Sequence, residues 1–106
     1  MRWLMKSLPL LFVLLWTGSG FAAAAEYQLT IAGMKFSAPP AELHVGDMIV
    51  WRNDDIFRHT ATARDKSFDI DLPPKSEGRM PIGRAGAVDF YCRFHPAMTG
   101  TLDVRP

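Results

Sequence analysis

The sequence predicts an all-β domain of about eight short strands, arranged as an antiparallel sandwich or barrel. Three observations predict it. Apolar and polar residues alternate in several short stretches, which is the period of a half-buried strand. Eight glycines and eight prolines punctuate the 106-residue chain, many at turn positions. Beyond the N-terminus, no window of useful length carries apolar residues at helical spacing.

The N-terminal segment, residues 1–25, reads as a secretory signal. Arg2 and Lys6 form a positive start, the run from Leu8 to Trp16 is apolar apart from Pro9, and Gly18 and Gly20 precede Ala22 to Ala25. The apolar run is about half the ~20 residues that a membrane span needs. Cleavage after Ala25 is expected, leaving a domain over residues 26–106 that is exported to the periplasm and has no membrane attachment once the signal is removed.

The strands follow in order. Tyr27, Leu29 and Ile31 alternate with polar neighbours, and Met34 to Ser37 continue that strand or pair with it. Ala38-Pro39-Pro40 excludes a helix. Leu43-His44-Val45 is a short strand stopped by Gly46-Asp47, and Met48 to Trp51 is apolar enough for a central strand that ends at Asn53-Asp54-Asp55. His59 to Ala63 forms another strand, with Arg64 to Lys66 as a polar turn. Phe68, Ile70 and Leu72 alternate up to Pro73-Pro74. Arg79 to Ile82 is a short strand, after which Gly83 and Gly86 bracket a turn. Val88, Phe90 and Cys92 share one face of the next strand, and Leu102 and Val104 share one face of the last.

Charge is balanced. The chain has 12 Lys and Arg against 11 Asp and Glu, which argues against a nucleic-acid binder. Arg2 and Lys6 leave with the signal, so the domain itself carries about −1. A domain this small is near the size at which a staple or a metal helps it fold. Cys92 is the only cysteine, so no internal disulfide forms. A lone thiol in an oxidising compartment needs a reason, and metal ligation is one.

The chemistry lies in two places. One is the loop from Tyr91 to Gly100, where Cys92, His95 and Met98 recur at every third residue between two predicted strands. The other is His59, which follows Asn53 to Arg58. Together they offer one thiolate, two imidazoles and one thioether. Two imidazoles and a thiolate in a plane, with a long axial methionine, is the blue-copper arrangement. A structural zinc site prefers four strong ligands, and calcium and magnesium prefer oxygen. Cys92 and His95 as a nucleophile and its base lack any recognisable oxyanion donors or third orienting residue, so no enzyme is expected. Asp65, Asp69 and Asp71 read as a solvated face, Arg58 and Arg93 as a solvated rim, and His44 as an edge residue.

Over nearly all of residues 26–106 the sequence resembles the cupredoxins, the type 1 blue copper proteins. The matching pieces are Val45-Gly46-Asp47, Val50-Trp51-Arg52-Asn53, His59-Thr60, Phe90-Tyr91-Cys92, and the Cys92-x-x-His95-Pro96-x-Met98-x-Gly100 loop with its closing Leu102-Asp103-Val104. The two residues between His95 and Met98 resemble the amicyanin branch, since related branches have four there. The resemblance implies a Greek-key β-sandwich of about seven to eight strands holding one type 1 copper ion. It implies His59, Cys92 and His95 as equatorial ligands and Met98 as the axial one. It further implies that the backbone N–H of Thr60 donates to the Cys92 sulfur, and that the edge of His95 reaches solvent through an apolar patch. Phe57, Phe94, Pro96 and Ala97 are candidates for that patch, with Met34 and Pro39 near it. The family often ties its ligand loop with an Asn after the first His and a hydroxyl residue after the Cys. Thr60 and Arg93 stand there instead, so that tie is absent or different.

The function implied is a monomeric one-electron carrier between redox proteins. In the amicyanin branch the donor is a quinoprotein amine dehydrogenase and the acceptor a c-type cytochrome. The alternative is a periplasmic protein that stores or delivers copper with the same ligands.

Overall fold

The computed structural model describes residues 24–106, so the predicted signal lies outside the described residues except for Ala24 and Ala25. The regular elements are nine strands: β1 (Glu26–Ala32), β2 (Lys35–Phe36), β3 (Leu43–His44), β4 (Met48–Asn53), β5 (His59–Ala63), β6 (Asp69–Leu72), β7 (Glu77–Pro81), β8 (Gly86–Tyr91) and β9 (Thr99–Arg105). They form a four-stranded sheet in the order β2-β1-β4-β7 and a five-stranded sheet in the order β3-β9-β8-β5-β6. Among the described residues no helix is long and apolar enough to cross a membrane.

Two expectations change. Among the described residues there are nine strands rather than seven or eight, because Lys35–Phe36 turns back and pairs with β1 as a separate strand instead of continuing it. The sheets are mixed rather than antiparallel: β1 runs parallel to β4 and β3 runs parallel to β9. Alternation reports which face of a strand is buried. It carries no information on partner direction, and parallel neighbours need a long connection rather than a hairpin.

The alternating residues meet between the sheets. Leu29 and Ile31 of β1, Ile49 and Trp51 of β4, Ala61 of β5 and Phe90 of β8 are all fully buried. Trp51 lies among three aromatic rings, with centroids 6.1 Å from Phe36, 6.0 Å from Phe68 and 5.1 Å from Phe90. Truncating such a ring costs about 3–5 kcal/mol, so this cluster is the rigid floor of the domain. Gly100 of β9 sits directly opposite Phe90 in the β8–β9 ladder, and a Cβ there would lie 2.3 Å from the Phe90 ring. Only glycine lets the last strand pack against this ring straight after the Tyr91–Thr99 connection.

Two loops matter for the site. The β8–β9 connection runs through Cys92 and Met98. The β1–β2 hairpin turns at Gly33 and Met34, both with left-handed backbone (φ 57° and 62°), as a two-residue hairpin requires. Met34 adopts this conformation against its steric preference, at a cost of about 1 kcal/mol.

Candidate metal centre

His59 opens β5, straight after the exposed segment Ile56-Phe57-Arg58, and is itself fully buried. It stays there because Asn53 anchors both ends of the preceding loop. The Asn53 side-chain amide donates to the carbonyls of Phe57 (2.8 Å) and Leu72 (2.9 Å), and its Oδ1 accepts from the Asp55 N–H (2.9 Å).

The remaining donors come from the β8–β9 loop, which three main-chain bonds draw tight. His95 N–H donates to Cys92 O (3.2 Å), Met98 N–H to His95 O (2.8 Å) and Cys92 N–H to Met98 O (3.1 Å). Cys92 and Met98 are buried, while His95 is half-buried. A ligand every third residue thus becomes a ligand at every turn of a small closed loop.

The donor atoms converge. Each histidine brings its Nδ1 to 3.7 Å from the Cys92 sulfur, and the three donor atoms lie within 4.8 Å of one another. An ion bonded at about 2.0 Å to nitrogen and about 2.3 Å to sulfur in a trigonal plane has N···S edges of about 3.7 Å. The two N···S spacings are therefore those of ligands around one ion. Met98 is brought in on the same loop as a weak fourth donor. This set of two imidazoles, a thiolate and a thioether fits one type 1 copper ion.

Surrounding groups fix the donors. Thr60 N–H points at the Cys92 sulfur at 3.4 Å, as the resemblance implied. The far nitrogen of His59, Nε2, lies 2.8 Å from Asp55 Oδ2, so Nε2–H donates to the carboxylate and leaves Nδ1 free as the donor. Burial alone would raise the Asp55 carboxyl. The bonds it accepts from Met34 N–H, His59 and Gly33 N–H outweigh burial and hold it below the usual carboxylate range. The strained hairpin turn and the buried histidine are thus held by one carboxylate. The sequence reading missed Asp55. The available signal was a carboxylate four residues before a ligand histidine.

The family's loop tie, expected to be absent or different here, is replaced by another bond. Arg93 N–H donates to Thr60 Oγ1 at 2.9 Å, so the backbone after the cysteine is bonded to the side chain after the histidine. Asp65, Asp69, Asp71, Arg58 and Arg93 are exposed, as expected, and they are also paired. Arg58 bridges Asp71, Arg93 bridges Asp69 at 3.1 Å, and Arg84 bridges Asp65 at 3.0 Å. Antiparallel pairing of β5 with β6 brings Asp69 and Asp71 up beside the segments that carry these arginines, a proximity that linear order conceals. His44 is an exposed residue of edge strand β3, as expected.

Around His95, Phe57 and Phe94 are about half exposed, and Pro96 and Ala97 are exposed. The Phe57 ring centre is 6.4 Å from that of His95. Ile56, 74% exposed beside Phe57, is a further apolar residue that the sequence reading did not single out. Met34 and Pro39 are half-buried, and Met34 packs against the core.

The sandwich is a cupredoxin fold, and the cluster it holds fits a type 1 copper site. Among the solved structures it resembles are amicyanins. The reduced Cu(I) form of one amicyanin variant is 26% identical, with 78% of this chain and 83% of that chain covered at a TM-score of 0.62. The Cu(I) form of another variant is 25% identical, with 78% and 85% covered at 0.64. A copper-containing nitrite reductase from Thermus scotoductus SA-01 superposes at 0.68 with 23% identity, but this chain spans only 22% of it. No family model and no curated protein matches the chain.

Proposed function

We propose that the chain is a type 1 blue copper protein, with His59, Cys92, His95 and Met98 as ligands, that acts as a one-electron carrier in the periplasm after removal of its signal. The observation that carries this reading is the convergence of one buried cysteine sulfur and two imidazole nitrogens within 4.8 Å. A bound copper ion would supply a Cu(II)/Cu(I) couple.

The protein's own part is to keep that couple fast and selective. Thiolate and thioether suit the soft reduced ion, and imidazole suits the oxidised one, so the same donors serve both states. The closed loop and the Asp55–His59 bond resist rearrangement between them. Full burial of Cys92 and His59 keeps water and thiol reagents away. Half-buried His95 leaves one ring edge near the surface, within an apolar collar of Phe57, Phe94, Pro96 and Ala97. Such a collar suits brief docking of a redox protein over less than about 1,200 Å². Because Arg58 and Arg93 already have carboxylate partners, this docking depends more on apolar contact than on steering charge. A quinoprotein dehydrogenase as donor and a c-type cytochrome as acceptor are the partners we propose, by analogy with amicyanin.

Storage or delivery of copper would call for an open site with rapid exchange. The test loads the purified protein with Cu(II). A carrier shows an intense thiolate-to-copper band, a reversible potential and slow copper loss to a chelator, and Cys92→Ser abolishes the band. Rapid exchange of Cu(I) with a competing ligand and no stable Cu(II) form would instead establish delivery.

A further inference from the structure

The outer face of β5 carries two threonines that the metal does not use. Side chains alternate along a strand, so His59, Ala61 and Ala63 point one way and Thr60 and Thr62 the other. Both threonines are nevertheless buried, and their hydroxyls are 2.8 Å apart. Thr62 Oγ1 donates to Asp69 Oδ1 at 2.7 Å, across the β5–β6 ladder in which the two residues are paired. Asp69 Oδ1 also accepts from Arg93 Nε at 3.1 Å, and Arg93 N–H donates to Thr60 Oγ1 at 2.9 Å. The bonds form a ring: Thr60, Thr62, Asp69, Arg93 and back to Thr60.

The ring has one direction. Asp69 is held below the usual carboxylate range, first by its bond from Thr62 and also by Arg93, so it only accepts. The single Thr62 proton therefore goes to Asp69. Thr60 must then give its proton to Thr62, which leaves its lone pairs to the Arg93 amide. No member is frustrated, and the ring holds Arg93 at both its backbone and its side chain. Arg93 directly follows Cys92, and Thr60 both follows His59 and bonds the Cys92 sulfur.

We infer that Thr62 and Asp69, which hydrogen-bond none of the four ligands, are positioning residues that lock the Thr60–Arg93 tie and so set the rigidity of the Cys92–His95 loop. The inference rests on the copper reading for its consequence, but the lock itself exists without metal.

The test uses the full chain and reads amide hydrogen exchange at Arg93 by NMR, first metal-free and then copper-loaded. Thr62→Val keeps shape and charge but removes the hydroxyl. It should speed exchange at Arg93 by about tenfold, the effect of one net hydrogen bond. Asp69→Ala, which removes the oxygen that accepts both bonds, should do the same, and the double variant should add little, because the bonds act in series. Thr62→Ser should restore slow exchange. Thr101→Val serves as a control, since Thr101 donates to Asp89 at 2.7 Å across the β8–β9 ladder, outside the ring, and its loss should leave Arg93 unchanged. In the copper-loaded protein, Thr62→Val should also shift the reduction potential and the copper hyperfine splitting. Unchanged Arg93 exchange in Thr62→Val, additive single effects, or an equal response to Thr101→Val would overturn the lock. Failure of every variant and the parent to give a blue copper site, with the exchange pattern intact, would overturn the copper reading and leave the lock standing.

Discussion

Asp55 shows how much one side chain contributes at this site. It orients His59, holds both amides of the β1–β2 turn, and places a negative charge beside the proposed ligand set. A nearby carboxylate favours the more positive ion, so Asp55→Asn should raise the reduction potential and weaken Cu(II) binding by about 10–100-fold. Voltammetry and chelator competition measure the two effects, and a lowered potential would count against this role. The four proposed ligands were legible in the sequence because their chemistry is rare and three of them crowd into one loop. Asp55 was not, because a carboxylate in an Asn-Asp-Asp run reads as turn chemistry until the chain is seen to curl back on His59. Thr62 and Asp69 were illegible for a similar reason: their partnership needs the β5–β6 register.

At the scale of elements, the β8–β9 hairpin matters most. Its loop is closed by three main-chain hydrogen bonds, and its second strand begins over the Phe90 ring. Gly100→Ala forces a methyl group against that buried ring and should destabilise the metal-free protein by about 1–3 kcal/mol. Urea unfolding reads this directly, and an unchanged midpoint would show that the ring can move aside. The periodicities of β1, β4, β6, β8 and β9 located these strands well, since each buries one face or lies centrally. Strand direction was not readable. Parallel pairing of β1 with β4 depends on chain connection and leaves no mark on alternation. The short β3 was legible as a strand stopped by Gly46-Asp47, while β2 was legible only as a segment that either continues β1 or pairs with it.

For the whole domain, acid stability follows from where its carboxylates are held. Asp47 is kept below the usual range first by the His44 amide that it accepts from, Asp69 by Thr62 and Arg93, and Asp55 by the bonds that outweigh its burial. These folded-state values lie below the unfolded value of about 3.9, so the stability they contribute is complete above that pH and is lost as pH falls through the folded values. The melting temperature of the metal-free protein should be steady from neutral pH to about pH 5 and drop below about pH 4. Circular dichroism melts check this, and a melting temperature that holds to pH 2 would contradict it.

X-ray absorption at the copper edge of the Cu(II)-loaded protein is the decisive measurement. The predicted shell has a single short sulfur and a pair of imidazole nitrogens, with the short sulfur gone in Cys92→Ser. A shell of nitrogen and oxygen alone in the unaltered protein would contradict the convergence of His59 with Cys92 and His95 on one ion.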